Sequence, residues 1–333
     1  MRPRPILAAK TAHLLVLLLA AWAATVQAQT LKDPVLEALY VADRAEELQR
    51  AALQRPGDDP QAVLALALAA LERNEAPAWL KALERAQSCA EKQPRAAPCQ
   101  YAHGVLLGIQ AMSEGMIKAA RSAGTVKDAL AAAHEIDPAW YPARSALMEF
   151  HLMAPGMMGG SASQAVELAR TAPRPEQVAA LQGRIATQER RFEAALAAFI
   201  ALPAALEHAL AADVRGWGVQ AGLGAVNAGQ AAKAQPFFER LLREQPGHAA
   251  GAYGLARVRG EQGAWAEALR LYERAGALKG AQEWPLAYRT GIALQNLGRG
   301  EEARSAFARF VSTGKGQKAS LEDARKRLEQ LGG

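Results

Sequence analysis

Apolar residues recur along the chain at intervals of three and four positions, the spacing that places them on one face of an α-helix. The segments 194–200 and 268–275 show this pattern. No long stretch alternates apolar and polar residues as a half-buried strand would, and the helix formers Ala, Leu, Glu, Arg and Gln dominate. Gly and Pro separate the apolar segments at the points where helices are expected to end. The pattern therefore predicts an all-α chain.

The spacing of the small and aromatic residues repeats in the C-terminal half of the chain. Three positions of the repeat are each occupied by similar side chains in three consecutive units: Gly222, Ala256 and Gly291; Ala234, Ala268 and Ala303; Phe238, Tyr272 and Phe307. Gly183, Ala195 and Phe199 fit the same template one unit earlier. This pattern resembles the tetratricopeptide repeat, in which small residues let two antiparallel helices pack closely and an aromatic side chain fills the gap between repeats.

The resemblance implies a right-handed α-solenoid of helix-turn-helix repeats with a concave groove. We expect about seven repeats, at residues 63–96, 97–140, 141–175, 176–214, 215–248, 249–282 and 284–317. The predicted regions are an N-terminal cap at 29–62 with a helix at 31–54, irregular repeats at 63–214, regular repeats at 215–317, and a capping helix at 318–333. The second repeat is too long, which indicates either extended helices or an insertion at 113–125. A second insertion is expected at 202–213 and a long turn at 154–161. The sequence does not indicate a function for any of these three segments.

Residues 1–28 have the organisation of a cleavable secretory signal peptide. Arg2, Arg4 and Lys10 precede an apolar run at 13–24, and a small residue, Ala28, precedes the predicted cleavage point. An uncleaved membrane anchor is the alternative, although the run is short for a membrane span. We therefore expect a periplasmic protein without an integral membrane span in the mature chain.

The charge of the chain argues against a nucleic-acid partner. The full sequence has 39 basic and 33 acidic residues, a formal net charge of +6. The signal peptide has three basic and no acidic residues, so its removal leaves a net charge of +3. A mild, dispersed positive charge does not form the basic stripe that nucleic-acid binding needs.

In proteins of the resembled family, the first helix of each repeat faces the concave groove. Carried over to this sequence, the groove positions include Arg184, Gln188, Asn227, Tyr253, Arg257, Tyr288, Gln295 and Asn296. Asn and Gln can hydrogen-bond an extended peptide backbone, Arg can bind a carboxylate, and Tyr offers amphipathic contact area. The set lacks the Lys and Asn pattern of the family members that clamp a carboxylate, so a C-terminal acidic peptide is not implied. Ordinary solvated polar positions are the alternative interpretation.

Two cysteines, Cys89 and Cys99, are predicted to form a structural disulfide. In the repeat register, Cys89 lies on a second helix and Cys99 begins the following first helix, so the turn between them brings the two helix ends together. Export to an oxidising compartment would favour the bond. Two free buried thiols are the alternative.

A methionine-rich segment allows a second interpretation of function. Four of the six methionines of the predicted mature chain fall in it beside a histidine, and the candidate soft-metal ligands are Met148, His151, Met153, Met157 and Met158. Thioether sulfur suits Cu(I), which makes a copper carrier the alternative function. The simpler interpretation is that flexible Met side chains fill space beneath a long turn, with Gly159 and Gly160 providing unusual backbone geometry and Ser161 capping the next helix.

Sequence motifs for catalysis are absent. The chain has no HExxH, GxSxG, P-loop or Rossmann fingerprint. We therefore predict a non-catalytic scaffold or adaptor without a cofactor, which binds another protein or a peptide segment in its groove. An accessory subunit of a separate enzyme complex is a further alternative, and alanine-rich stacking faces would also allow self-association.

Overall fold

The computed structural model describes residues 29–73 and 76–332, and these residues form helices joined by short connections, with no strand among them. The described part has 17 α-helices. In chain order they are α1 (Pro34–Val41), α2 (Ala45–Leu53), α3 (Pro60–Arg73), α4 (Ala76–Lys92), α5 (Ala97–Ser113), α6 (Met116–Ile136), α7 (Tyr141–Met153), α8 (Ala162–Arg170), α9 (Pro175–Gln188), α10 (Phe192–Ile200), α11 (His208–Asn227), α12 (Ala231–Glu244), α13 (Ala249–Glu261), α14 (Trp265–Gly276), α15 (Leu286–Asn296), α16 (Gly300–Ser312) and α17 (Lys318–Gly332). The prediction of an all-α solenoid of helical repeats is confirmed.

The chain divides into two compact units, one ending at Ala143 and one beginning at Arg144, within α7. The N-terminal unit contains α1 to α6 and the C-terminal unit contains α8 to α17. Within residues 29–73 and 76–332, no helix is long and apolar enough to cross a bilayer. The predicted signal peptide at 1–28 lies outside the described residues.

The N-terminal unit begins with two short helices where the sequence predicted a single helix at 31–54. Asp33 caps α1 by accepting hydrogen bonds from the backbone N–H groups of Val35 and Leu36, both at 3.0 Å. The chain then turns through Asp43, whose φ of 55° is left-handed and incompatible with a continuous helix. The prediction of one continuous helix was therefore wrong.

The long second repeat consists of extended helices and contains no inserted loop. Helix α5 has 17 residues and α6 has 21, and only Glu114 and Gly115 separate them. Gly115 adopts a φ of 99°, which a glycine tolerates without strain. Most of the segment 113–125 therefore lies within α6, and the structure supports extended helices over an insertion.

The disulfide prediction is confirmed in the N-terminal unit. Cys89 and Cys99 are bonded, with their Cα atoms 5.5 Å apart. Both residues lie in a buried cluster with Val63, Ala86 and Leu106. The bond thus connects α4, the second helix of one repeat, to α5, the first helix of the next.

Close contact between small and aromatic residues holds the helix pairs of the C-terminal unit together. The ring of Phe238 on α12 is fully buried. A Cβ atom placed on Gly222 of α11 would lie 2.6 Å from its Cζ atom, and one on Gly254 of α13 would lie 2.0 Å from its Cδ1 atom. The same relation joins Gly183 to Phe199 and Gly291 to Phe307, at 2.6 and 2.7 Å. The helices approach this closely because the glycines have no side chain.

The connection after α10 is shorter than the insertion expected at 202–213. Helix α11 already begins at His208, so only residues 201–207 connect the two helices. The last turn of α10 has carbonyl groups without a partner inside the helix, and Arg240 of α12 donates a hydrogen bond of 3.2 Å to one of them, the carbonyl oxygen of Phe199.

Glu207, at the start of α11, forms an ion pair with Arg174. Burial raises the pKa of Glu207 above its usual value, and the Arg174 guanidinium opposes that rise.

The long turn at 154–161 contains a single turn of 3₁₀-helix, Gly156–Met158. Gly159 follows with a φ of 90°. A Cβ atom on Gly160 would lie 1.7 Å from the carbonyl oxygen of Ala154, so this position requires glycine for close approach. The Ser161 side chain accepts a hydrogen bond of 3.3 Å from the backbone of Gln164, which confirms the predicted cap of α8.

Candidate functional site

The first helices of the C-terminal repeats are joined by polar side chains, beginning with Arg184 of α9. Its Nε and Nη2 atoms donate hydrogen bonds of 2.5 and 2.9 Å to the two carboxylate oxygens of Glu149 on α7. A third nitrogen, Nη1, donates to the side-chain oxygen of Gln188 at 3.1 Å. The Arg184 side chain is only 3% exposed. A bidentate pair fixes the guanidinium plane, so Arg184 acts as a rigid connection between two first helices.

A second connection joins α11 to α13. The Nη2 atom of Arg257 donates a hydrogen bond of 2.7 Å to Oδ1 of Asn227. One turn earlier on α13, Tyr253 is 2% exposed. Its ring stacks on Trp284 of the following repeat, with ring centroids 4.6 Å apart and an angle of 21° between the planes. The pair forms an aromatic wall beside the arginine.

A third connection joins α15 to α17. The Tyr288 hydroxyl donates a hydrogen bond of 2.8 Å to Oδ2 of Asp323. Arg327 donates one of 2.6 Å to the same oxygen and one of 2.7 Å to the side-chain oxygen of Gln295. Burial raises the pKa of Tyr288, and its hydrogen bond to Asp323 raises it further. Burial opposes ionisation of Asp323, but the hydrogen bonds from Arg327 and Tyr288 outweigh it and lower the pKa of Asp323.

We call these side chains together the first-helix surface. Its members are Glu149, Arg184, Gln188, Asn227, Tyr253, Arg257, Trp284, Tyr288, Gln295, Asn296, Asp323 and Arg327. In each connection an arginine binds an acceptor on the first helix of the preceding repeat. The sequence analysis missed Glu149, Trp284, Asp323 and Arg327. The three acceptors lie 35, 30 and 32 residues before their arginines, and this spacing of about one repeat is the signal that could have found them.

The structure gives the eight predicted groove residues two different environments. Four of them, Arg184, Tyr253, Arg257 and Tyr288, are buried between neighbouring helices. Their contacts join repeats to one another, which differs from the solvent-facing role expected of groove residues. Gln188, Asn227 and Asn296 are exposed and Gln295 is partly exposed, so these four form the accessible part of the predicted set. Contact of any of the eight with a peptide stays a prediction.

The methionine-rich segment does not form one environment. Met148 has no exposed surface, whereas Met157 is 95% exposed. The sulfur of Met153 accepts a contact of 3.5 Å from Nη2 of Arg184. His151 and Met158 are partly buried. Because the thioethers are divided between the core and the solvent, they are not gathered as the ligands of one ion, and Met148 is the one that is fully buried as a space-filling side chain would be.

Other ligands for a metal do not come together in the part of the chain that the structure describes. No group of three or more His, Cys, Asp or Glu side chains is placed there to hold an ion. The chemistry available on the first-helix surface is that of hydrogen bonding, guanidinium–carboxylate pairing and aromatic contact. These are the interactions of molecular recognition.

The sequence and the structure of this chain are both similar to those of known repeat proteins. The tetratricopeptide repeat family model matches residues 225–280, which include all of α12, α13 and α14. No protein with a curated description matches the sequence. The APC/C hetero-tetramer Cut9-Hcn1 is a similar solved structure, with a TM-score of 0.50 and 13% identity over 78% of this chain and 48% of that chain.

Two further solved structures resemble the chain at lower TM-scores. A tetratricopeptide repeat protein from Parabacteroides merdae has a TM-score of 0.46 and 13% identity, covering 87% of this chain and 100% of that chain. Pseudomonas aeruginosa PilF has a TM-score of 0.42 and 18% identity, covering 69% of this chain and 98% of that chain.

The tetratricopeptide repeat fold is generally a scaffold for protein interaction and not a catalytic fold. The glycine–aromatic contacts of the C-terminal unit occur between paired helices in successive repeats, and the family match covers the centre of that unit. Residues 225–280 therefore match the tetratricopeptide repeat, within a described chain that folds as an all-α solenoid of helical repeats.

Proposed function

We propose that this protein is an exported, non-catalytic adaptor that holds a peptide segment of another envelope protein on its first-helix surface. The observation that carries the proposal is the row of polar and aromatic side chains on successive first helices, with exposed carboxamides at Gln188, Asn227 and Asn296. Carboxamides can pair with both the donors and the acceptors of an extended backbone. Many such contacts, each weak, would give shape-dependent binding along the groove.

The buried arginine connections support this proposal because they make the surface rigid before a ligand arrives. Arg184 and Arg257 hold neighbouring first helices together through short hydrogen bonds. A preorganised surface loses less conformational entropy on binding than a mobile one. The exposed carboxamides are thereby presented at fixed spacing.

The disulfide supports the export part of the proposal. A buried bond between Cys89 and Cys99 persists in an oxidising compartment and is rare in the cytosol. N-terminal sequencing of the mature protein recovered from the periplasm tests this part. We expect the mature chain to begin at Gln29, and a chain that retains residues 1–28 in the cytosolic fraction would contradict export.

Photocrosslinking in cells tests the adaptor role. A photoreactive amino acid replaces Gln188 or Asn296 on the first-helix surface, and Ala232 or Ala308 on exposed parts of second helices provides the matched control. We expect one dominant protein adduct from the first-helix positions alone, identified by mass spectrometry. Equal labelling from both sets of positions, or no labelling from either, would refute the proposed binding surface.

A further inference from the structure

The buried guanidinium of Arg184 combines three hydrogen bonds to oxygen with one contact to sulfur. Its Nε, Nη1 and Nη2 atoms donate to oxygens of Glu149 and Gln188 over distances of 2.5 to 3.1 Å. Nη2 also contacts the thioether sulfur of Met153, at 3.5 Å. A thioether is a weak acceptor, and Arg184 is only 3% exposed, so little water reaches this donor to replace the sulfur. One donor of a buried cation therefore has a poor partner.

Met153 is accessible from solvent although its sulfur contacts this buried donor. The residue is 58% exposed. It lies one turn after Glu149 on α7, so both side chains lie on the same side of the helix, towards Arg184 of α9. The nearby methionines differ, because Met148 has no exposed surface and Met157 is 95% exposed. Met153 thus combines access for a small oxidant with a charged donor next to its sulfur.

We propose that Met153 is a site of reversible oxidation by a peroxide, and that its sulfoxide strengthens the connection between α7 and α9. The thioether sulfur attacks one oxygen of hydrogen peroxide, so that an S–O bond forms while the O–O bond breaks. Sulfur gives up two electrons, and the proton of the transferred oxygen moves to the departing hydroxide, which leaves as water. Methionine sulfoxide reductases return such a sulfoxide to the thioether.

The expected gain arises from the change of acceptor. A sulfoxide oxygen carries a partial negative charge and accepts hydrogen bonds far better than a thioether sulfur. Because Met153 is at the surface, rotation about its Cγ–Sδ bond can turn this oxygen towards Nη2 of Arg184. Hydrogen bonds from a charged donor belong to the stronger class.

The direction of the effect distinguishes Met153 from an ordinary methionine. Oxidation usually disrupts a protein, because it places a polar group among apolar neighbours. At Met153 the new polar group meets a guanidinium, and little apolar surface is lost because more than half of the residue is already exposed. Oxidation of this one residue is therefore expected to stabilise the C-terminal unit.

Controlled oxidation of the mature protein with hydrogen peroxide tests the inference. Peptide mass mapping shows which methionines gain one oxygen atom, and we expect Met153 and Met157 to be modified while the buried Met148 is not. Urea denaturation then compares each oxidised protein with its reduced form. We expect oxidation to lower the unfolding equilibrium constant of the wild type by about fivefold relative to the same treatment of Met153→Leu, in which the other methionines are still oxidised.

Three further substitutions assign the effect to the contact with Arg184. Met157→Leu removes a more exposed methionine and is expected to keep the full effect. Arg184→Lys keeps the positive charge but loses the guanidinium fork, and is expected to abolish it. Met153→Gln places an oxygen acceptor at this position without any oxidation and retains Arg184. We expect Met153→Gln to be more stable than Met153→Leu, which provides a test even if Arg184→Lys does not fold.

Four outcomes would overturn the inference. One is a Met153 that stays unmodified under conditions that oxidise Met157. Another is an oxidised wild type whose change in stability equals that of Met153→Leu. The others are a stabilisation that persists in folded Arg184→Lys, and a Met153→Gln protein that is no more stable than Met153→Leu. The adaptor proposal is tested separately by crosslinking, because the inference concerns contacts within the C-terminal unit alone.

Discussion

Replacement of Gly254 by alanine is expected to destabilise the C-terminal unit, although alanine is the better helix former. Gly254 lies within α13, where exchange of Gly for Ala alone stabilises a helix by about 1 kcal/mol. The new methyl carbon would however lie 2.0 Å from both Cδ1 and Cε1 of Phe238. Carbon atoms in contact normally stay about 3.5–4.0 Å apart, so the ring or the helix must move.

The ring of Phe238 has little space into which it can move. On its opposite edge, a Cβ atom at Gly222 would lie only 2.7 Å from Cε2, so α11 already packs closely there. Overpacking of a core costs about 1–3 kcal/mol, and the severe overlap here favours the upper end of that range. After subtraction of the helix-propensity gain, we expect Gly254→Ala to lower the free energy of unfolding by about 2 kcal/mol.

The matched control is Gly216→Ala in α11. This glycine is also helical but exposed, and a Cβ atom there would have no neighbour within 4 Å. We expect the control to raise the free energy of unfolding by about 1 kcal/mol. Urea denaturation followed by circular dichroism compares both variants with the wild type. A Gly254→Ala protein that is as stable as the wild type would refute the steric argument.

A double-mutant cycle isolates the contact itself. Phe238→Leu removes the ring edge that the new methyl group meets. We therefore expect Gly254→Ala to cost less in the Phe238→Leu background than in the wild type, with a coupling energy of about 1 kcal/mol or more. Additive effects of the two substitutions would show that the loss of stability arises elsewhere.

Three other outcomes follow from features of the fold. Reduction of the Cys89–Cys99 bond is expected to lower the free energy of unfolding by about 2–3 kcal/mol, and an unchanged melting temperature with reductant would contradict this. Ser161→Ala removes the cap of α8 and is expected to cost about 1 kcal/mol, measured by urea denaturation. Because burial raises the pKa of Glu207 above 4.5, its ionisation opposes folding. The melting temperature of the wild type is thus expected to fall relative to Glu207→Gln as the pH rises from about 4 to 7, and the opposite slope would refute the assignment.

The repeat pairing could be predicted from the sequence because its steric requirement is visible in residue type. Gly183, Gly222 and Gly291 each meet the ring of an aromatic residue sixteen positions later, at Phe199, Phe238 and Phe307. Two helices can approach this closely only when one side chain is nearly absent. Residue identity and spacing therefore report the contact directly, and the all-α repeat fold follows from them.

The first-helix surface could be predicted only in part. The register correctly placed Arg184 and Tyr288 on first helices, but it could not identify their partners, Glu149 and Asp323, which are 35 residues away. A pattern of residue types predicts which face of a helix a residue occupies. Whether that residue is buried depends on how much of this face the neighbouring repeat covers. For the same reason, the sequence allowed either extended helices or an insertion in the second repeat, and the tight turn at Gly115 between α5 and α6 distinguishes the two.

The disulfide between α4 and α5 has a mechanical consequence. Under a force that pulls on the two ends of the folded chain, tension passes through the sulfur atoms of Cys89 and Cys99 and leaves residues 90–98 without load. Complete extension would release about 30 Å less chain than in the reduced protein. The junction of the first two repeats is thus a covalent fixed point, and stretching would separate helices on either side of it before the second helix of one repeat could leave the first helix of the next.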